Sequence, residues 1–169
     1  MVDLLNKKYQ TGVSVVPASK EHVGHIAANL RSADRTEIEF LGSKSDQGMT
    51  RGLSYDDESY TVLTKDKTPC AMFGVGALVK DEGYIWMLGT DEIYDYKSDF
   101  IRFSRPWINK ITTKYRKYSN MVHSENHFSL RWLLWCGATL IHSVDVNGAT
   151  FYKFTIYNNH VWPKNDGKK

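Results

Sequence analysis

The feature that most constrains the fold is the dipeptide Asn147-Gly148 near the end of the chain. It stands between two stretches rich in β-branched and aromatic residues, residues 139–146 and 150–157. Asn-Gly readily adopts the left-handed backbone that a two-residue hairpin turn requires, so this pattern predicts two antiparallel strands. The C-terminal part of the chain is therefore expected to form a β-hairpin within a sheet.

Apolar residues at helical spacing alternate with β-rich stretches along the rest of the chain. The longest helical stripe consists of Phe100, Phe103, Trp107, Ile111 and Tyr115. Pro106 lies inside this stripe and is expected to kink the helix or to begin its second half, because proline lacks a backbone donor. An earlier helix is predicted after Ser19, a suitable N-cap, and a later one from Asn126 to a stop at Gly137.

Short stretches rich in β-branched and aromatic residues predict the remaining strands. They are residues 13–16 (VSVV), 60–64 (YTVLT), 70–79 (CAMFGVGALV), 84–88 (YIWML) and 121–124 (MVHS). Gly74 and Gly76 lie inside one of them, which predicts a bulge or a close approach by another group. Residues 42–59 are rich in loop formers, with room for one short helix. The order predicts an α/β chain: a mixed, twisted sheet of six to seven strands flanked by three to four helices.

Composition narrows the class of protein. Of the 169 residues, 41% are hydrophobic and 13% aromatic, which suffices for a packed core and excludes a disordered chain. We expect one domain, residues 1–163, followed by a flexible polar tail, residues 164–169. The formal net charge of +3 permits an anionic ligand but is too small to favour nucleic-acid binding.

Cysteines and apolar runs bear on the cellular compartment. Cys70 and Cys136 both lie in apolar stretches and are expected to be buried thiols in a reducing cytosol. No long apolar stretch opens the chain, and none elsewhere is long enough to cross a bilayer. The sequence predicts an intracellular or packaged soluble protein.

The predicted order of elements resembles the GNAT N-acetyltransferase fold, and the last helix carries part of that family's motif. The motif has Asn at the start, a small residue three positions later, an aromatic residue or Leu at the sixth and Gly at the eleventh. The matching residues are Asn126, Ser129, Trp132 and Gly137. The seventh position, where the family has its usual acid, a tyrosine, is Leu133, and the twelfth, usually Phe, is Ala138.

Five runs also resemble, in sequence and order, a narrower group of GNAT-like phage proteins that includes the internal virion protein of short-tailed, podovirus-type phages. They are LRSADRTEIEFLG, PCAMFGVG, IWMLGTDEI, FIRFSRPWI and NHFSLRWLLWCGA. This resemblance implies an accessory role in particle assembly or early infection through contacts with virion or host proteins. It also implies a location in the host cytoplasm and in the phage particle.

The loop that binds acetyl-CoA phosphates in GNAT enzymes is absent. That loop, Gln/Arg-x-x-Gly-x-Gly/Ala, joins the fourth strand to the next helix, where backbone N–H groups and the helix dipole hold the phosphates. The corresponding stretch here, residues 87–105, has the single glycine Gly89. It also carries four carboxylates that repel phosphate: Asp91, Glu92, Asp95 and Asp99.

If acetyl-CoA or CoA binds, its phosphates are expected at the helix N-terminus near Ser98, or at Ser104 with Arg102 and Arg105. The alternative for these arginines is a solvated helix face. The resemblance implies that the strand end and the last helix would hold the rest of the cofactor. The full set of candidate cofactor-binding residues is Leu88, Gly89, Thr90, Arg102, Ser104, Arg105, Asn126 and Ser129.

Catalysis would need a general base for the amine and an acid for the leaving thiolate. Glu92 and Glu37 are the candidate bases by their positions in the resemblance, and Leu133 has no proton to give. His123, Ser124, Glu125 and His127 lie close in sequence, but their spacing matches no metal or triad motif, and no metal site is predicted.

Two main hypotheses follow. The first is a phage accessory protein on an acetyltransferase scaffold that has lost its phosphate loop and its acid. The alternative is an active acetyl-CoA-dependent N-acyltransferase that modifies a host or phage protein or a small amine. A nucleic-acid binder, resting on the basic residues between 102 and 117, is the least favoured.

Overall fold

The computed structural model describes residues 12–158, which form one seven-stranded sheet covered by helices. The strands are β1 (Ser14–Pro17), β2 (Glu58–Leu63), β3 (Pro69–Val79), β4 (Glu82–Gly89), β5 (Lys117–His123), β6 (Thr139–Val146) and β7 (Ala149–Tyr157). The helices are α1 (Lys20–Ala28), α2 (Ser32–Phe40), α3 (Ser45–Tyr55), α4 (Lys97–Ile111) and α5 (His127–Trp135), with a 3-10 turn at Asp91–Tyr94. The predicted polar tail, residues 164–169, lies outside the described residues.

The sheet has the order β1-β2-β3-β4-β5-β7-β6. All neighbouring strands are antiparallel except β4 and β5, which are parallel, so the predicted mixed α/β sheet is confirmed. The predicted hairpin joins β6 to β7, and Asn147 and Gly148 have φ values of 52° and 83°. These two residues supply the left-handed turn that the strand twist requires.

Each face of the sheet has its own apolar core. On one face, α4 and α5 pack on alternate residues of the central strands, such as Phe73 and Ile85. On the other face, α1 and α3 cover the intervening residues, among them Met72, Trp86 and Leu88. This alternation follows from the two-residue period of a strand, and it gives β4 a different set of neighbours on each side.

Two local predictions need correction. Residues 42–59, where the sequence leaves room for one short helix, hold α3, an 11-residue helix whose apolar anchor Met49 is fully buried. With α1 and α2 separate, five α-helices are present between residues 12 and 158 rather than three to four. Pro106 does not begin a second helix but lies inside a continuous α4, whose packing offsets the one missing donor.

The prediction of a close approach at Gly74 and Gly76 is confirmed. A Cβ atom on Gly74 would lie 2.3 Å from Asp56 Oδ2, and one on Gly76 would lie 2.5 Å from the Tyr84 hydroxyl. The two glycines make room for Asp56, which accepts hydrogen bonds from the Tyr84 hydroxyl and from Trp86 Nε1, the latter at 2.8 Å. This network fixes the end of α3 and the indole of Trp86 over β4.

Candidate functional site

Strands β4 and β5 separate after a short region of pairing. Only three residue pairs join them, and the last is Tyr84 with Ser119. The Asn120 amide then bridges the widening gap by donating to the Ile85 carbonyl at 2.8 Å. Residues 85–89 of β4 and 120–123 of β5 have no backbone pairing with each other, and we call this opening the fork.

A cavity of about 200 Å³ lies in the fork. Its walls come from α2, α3, α5, β4, β5 and β7. The lining residues are Asp34, Glu37, Ile38, Leu41, Gly48, Ile85, Trp86, Met87, Leu88, Asn120, Met121, Val122, Ser129, Trp132, Leu133 and Phe154. Two of the predicted cofactor-binding residues, Leu88 and Ser129, thus share one cavity with the candidate base Glu37. Leu133, at the position of the family's usual tyrosine acid, lines the same cavity.

Asp34 closes the β4 side of the fork. Its Oδ2 accepts the Gly89 N–H at 2.8 Å, and its two oxygens also accept the Arg31 Nε and Nη2 groups at 3.1 and 2.6 Å. Burial alone would lower the pKa of Arg31. The charge of the Asp34 carboxylate and its hydrogen bonds more than offset this effect, so the pKa of Arg31 is raised and the guanidinium stays charged. The backbone donor at the end of β4 is therefore already satisfied by a side chain of α2.

Glu37 closes the β5 side, one turn further along α2. Its Oε1 accepts the His123 N–H at 3.0 Å and the Asn126 Nδ2–H at 2.8 Å. Its Oε2 accepts no hydrogen bond from residues 12–158. Burial raises the pKa of Glu37 to about 7, against the lowering effect of the hydrogen bonds from Asn126 and His123. A carboxyl with this pKa exchanges a proton near neutral pH, as a general base requires.

Asn126 has two roles at the start of α5. Its Oδ1 accepts the Ser129 N–H at 3.2 Å, which is the predicted N-cap, while its Nδ2 holds Glu37. The side chain is 4% exposed, so both contacts are shielded from water. About two helical turns after Asn126, the apolar, buried Leu133 lines the same cavity.

The segment after β4 differs from a phosphate loop, as the sequence predicts. Thr90 is buried, its N–H donates to the Cys70 carbonyl at 2.9 Å, and the 3-10 turn follows directly. Glu92, in that turn, is not among the residues lining the fork cavity. A hydrogen bond from the Thr90 hydroxyl lowers the pKa of Glu92, which makes it a weaker base than Glu37.

An open hollow of about 310 Å³ lies at the N-terminus of α4, lined by Tyr94, Asp95, Tyr96, Lys97, Ser98 and Asp99. Lys97 and Ser98 are in the first turn, and the exposed Arg102 follows one turn later on the face of Ser98. Asp99 is engaged, since its Oδ2 accepts the Gly12 N–H at 2.7 Å. The N–H groups of this helix end, with Lys97, Ser98 and Arg102, offer donors to a phosphate, against the repulsion of Asp95 and Asp99 in the same hollow.

Ser104 and Arg105 have structural partners instead. Ser104 is buried, donates to the Phe100 carbonyl and accepts the Trp132 Nε1–H at 2.9 Å. Arg105 Nε donates to the Trp135 carbonyl at 2.9 Å, and its guanidinium lies 4.1 Å from the centre of the Trp135 ring. Both side chains join α4 to α5, and the fork does not include them.

Aromatic rings also fill the space between the N-terminal parts of α4 and α5. The rings of Tyr94 and Phe128 are 5.1 Å apart, and those of Phe100 and Trp132 are 5.2 Å apart. The Arg31 guanidinium lies over Phe128 at 5.5 Å. The resemblance implies that the cofactor arm passes beside Asn126, and the donors at the N-terminus of α4 suit its diphosphate end.

The sequence did not assign the Arg31–Asp34 pair to the site. An Arg-x-x-Asp spacing at the start of a helix is the one signal that could have found it, and this spacing is common in solvated helices. The fork itself depends on where two strands stop pairing. No cluster of three or more His, Cys, Asp or Glu side chains within residues 12–158 could hold a metal ion. None of the helices in that range is long and apolar enough to cross a membrane.

Comparison with known proteins identifies the architecture. No protein-family model and no curated protein sequence matches the chain. Solved structures do match. The aminoglycoside N(6')-acetyltransferase of Legionella pneumophila aligns with a TM-score of 0.64 and 10% identity, covering 89% of this chain and 94% of that one.

Two further structures agree. A GNAT-family acetyltransferase of Bacillus anthracis gives a TM-score of 0.61 at 9% identity, covering 87% of this chain and 95% of that one. The spermidine N-acetyltransferase of Vibrio cholerae, solved with CoA and spermine, gives a TM-score of 0.61 at 12% identity, covering 88% of this chain and 96% of that one. Identities this low establish the fold alone: the chain has the fold of the GNAT acetyltransferases.

Proposed function

We propose that the protein is an acetyl-CoA-dependent N-acyltransferase in which Glu37 accepts the proton of the amine. The observation that carries this proposal is the position of Glu37, which lines the fork cavity with one oxygen held by Asn126 and His123 and the other without a partner within residues 12–158. A carboxyl with a pKa of about 7 takes a proton from a bound ammonium group far more readily than a solvated carboxylate does.

Lys97, Ser98 and Arg102 would hold the diphosphate at the N-terminus of α4. Bound acetyl-CoA supplies an activated acyl group. The chain's own part is to desolvate the amine in the fork, orient it at Glu37 and remove its proton, which leaves a nitrogen lone pair free to react. Leu133 cannot donate a proton, so water replaces the usual tyrosine at some cost in rate.

Calorimetric and thermal titrations with acetyl-CoA and with CoA test the proposal directly. Ligand at 100 times its Kd stabilises the folded state by about 2.7 kcal/mol. We expect saturable binding that Arg102→Glu weakens at least tenfold. Arg51→Glu is the matched control, because it makes the same charge reversal at an exposed site on α3. Absence of binding at millimolar ligand would overturn the proposal.

A second candidate function is the phage accessory role, in particle assembly or early infection. Three observations favour it: Asp34 occupies the Gly89 N–H, aromatic rings fill the gap between α4 and α5, and position 133 carries no acid. The scaffold would then serve contacts with virion or host proteins. Mass spectrometry of purified particles tests this role, and absence of the chain from particles together with tight CoA binding would exclude it.

A further inference from the structure

The polar side chains around the fork cavity are almost all engaged with the protein itself. Both oxygens of Asp34 are taken by Arg31 and Gly89, as described above. The Asn120 amide donates to the Ile85 carbonyl and accepts the N–H of its neighbour Met121. The indole N–H groups of Trp86 and Trp132 point away to Asp56 and Ser104. A ligand in the cavity therefore meets these residues mainly through their apolar surfaces.

Among the side chains that line the cavity, two polar atoms remain without a partner within residues 12–158. Glu37 Oε2 and the Ser129 hydroxyl make no hydrogen bond within residues 12–158, and both residues line the cavity. One is a carboxyl oxygen and the other a neutral hydroxyl, so the cavity provides a single site of negative charge. A ligand that uses this site needs one cationic group, with an apolar body for the rest of the surface.

The volume sets the size of that body. A cavity of about 150 Å³ lined by aliphatic and aromatic side chains holds a benzene ring. The fork cavity, at about 200 Å³, has room for one ring and a short amine arm. The faces of Trp86 and Trp132 and the aliphatic side chains of Leu41, Leu88 and Met121 provide the apolar contacts.

We propose that the fork cavity binds a primary monoamine with a single aromatic ring, whose ammonium group contacts Glu37. This inference deepens the proposed acyltransferase function by naming the class of acceptor. The role of the amine as an acceptor rests on that proposed function. A polyamine is disfavoured, because its second ammonium would be desolvated in an apolar cavity without a carboxylate partner.

The probe is 2-phenylethylamine, titrated calorimetrically into the full chain at pH 8, with spermidine and the neutral isostere 2-phenylethanol as comparisons. We expect 2-phenylethylamine to bind at least tenfold more tightly than either comparison compound. Glu37→Gln should abolish the preference for the amine over the alcohol. Glutamine keeps an oxygen that accepts from His123 and Asn126, so this variant retains the local hydrogen bonds.

A second variant tests the cavity without touching the carboxyl. Gly48 lines the cavity on α3, and a Cβ added there meets no atom within 4 Å, so Gly48→Leu fills space without a backbone clash. Gly24→Leu is the matched control, because Gly24 is an exposed helical glycine of α1 that also has no atom within 4 Å. We expect Gly48→Leu to lower the affinity at least tenfold and Gly24→Leu to leave it unchanged.

The outcomes separate the two proposals. Binding of 2-phenylethylamine without acetyl transfer from acetyl-CoA would sustain this inference and contradict the proposed function. Acetyl transfer to spermidine, with no binding of 2-phenylethylamine, would sustain the function and overturn the inference. Equal affinities for the amine and the alcohol, or no effect of Gly48→Leu, would also overturn it.

Discussion

Glu37 and Asn126, 89 positions apart in the chain, are joined by a hydrogen bond of 2.8 Å between Oε1 and Nδ2. Because Asn126 also caps α5 through Ser129, this one amide fixes the start of α5 and the carboxyl of α2 relative to each other. The residue that the helix needs for folding is thus also the residue that orients the candidate base.

Replacement of Asn126 should separate these two roles. Asn126→Ser keeps a capping oxygen but loses the amide donor to Glu37, whereas Asn126→Ala loses both. We expect Asn126→Ala to lower the free energy of unfolding by about 2–3 kcal/mol, from about 1 for the cap and about 1–2 for the buried contact. Asn126→Ser should cost about 1–2 kcal/mol. Chemical denaturation checks this, and equal losses in the two variants would contradict a role for the amide.

The raised pKa of Glu37 predicts how stability depends on pH. The folded-state pKa of about 7 lies above the ordinary value of 4.5, so the folded protein binds the proton more tightly than the unfolded chain does. Stability from this group is full below pH 4.5 and is lost as the pH rises to 7, by up to about 3 kcal/mol. In Glu37→Gln this loss between pH 5 and pH 8 should disappear.

The comparison between wild type and Glu37→Gln cancels the contribution of other titrating groups to the pH dependence of stability. Burial lowers the pKa of His22, so that residue favours stability at higher pH and opposes the slope from Glu37. Since His22 is present in both proteins, its contribution cancels in the difference of their unfolding free energies. Parallel pH profiles for the two proteins would show that Glu37 titrates normally in the folded state.

The pair Arg31–Asp34 should behave as one buried unit. Their side chains are 1% and 3% exposed, so either single replacement leaves a charge without its partner. We expect Arg31→Met and Asp34→Leu each to cost about 3–5 kcal/mol. The double variant should cost clearly less than the sum of the two, because it leaves no buried charge. Denaturation of all four proteins measures the coupling, and additive losses would contradict a direct interaction.

The sequence predicted the features that depend on local chemistry. The Asn147-Gly148 turn, the Asn126 cap, the Gly137 stop at φ 93° and the room made by Gly74 all follow from what single residues or neighbours require. No single residue or neighbouring pair in the sequence marks the position of the fork. It arises because β4 and β5 stop pairing after Tyr84, and a pairing limit between strands about 35 residues apart is set by tertiary packing.

The same distinction explains the candidate site. Glu37 was placed near the acceptor side by resemblance, but its hydrogen bonds to His123 and Asn126 depend on how α2 packs against the fork. Ser104 and Arg105 looked like phosphate contacts because their residue types suit anions. In the folded chain they join α4 to α5, since a buried hydroxyl and the last carbonyls of a helix both need partners.

Leu133 allows the lost acid to be tested by restoration. It is 6% exposed and lines the fork cavity at the position where the resemblance places a tyrosine. Leu133→Tyr and Leu133→Phe introduce nearly the same ring and the same overpacking, about 1–3 kcal/mol, but only tyrosine adds a proton donor. If the proposed transferase activity is present, the tyrosine variant should exceed the phenylalanine variant in kcat by about a hundredfold, the lower end of the range for a positioned acid.

The measurement is acetyl transfer to 2-phenylethylamine, followed as release of free thiol, with melting curves of both variants to confirm equal folding. A faster tyrosine variant with unchanged KM would locate the gain in the chemical step rather than in binding. Equal rates in two well-folded variants would mean that a hydroxyl at position 133 does not reach the leaving group. The leucine would then be a packing residue of the cavity wall. The missing acid would not be the sole difference between the fork and an acetyltransferase site.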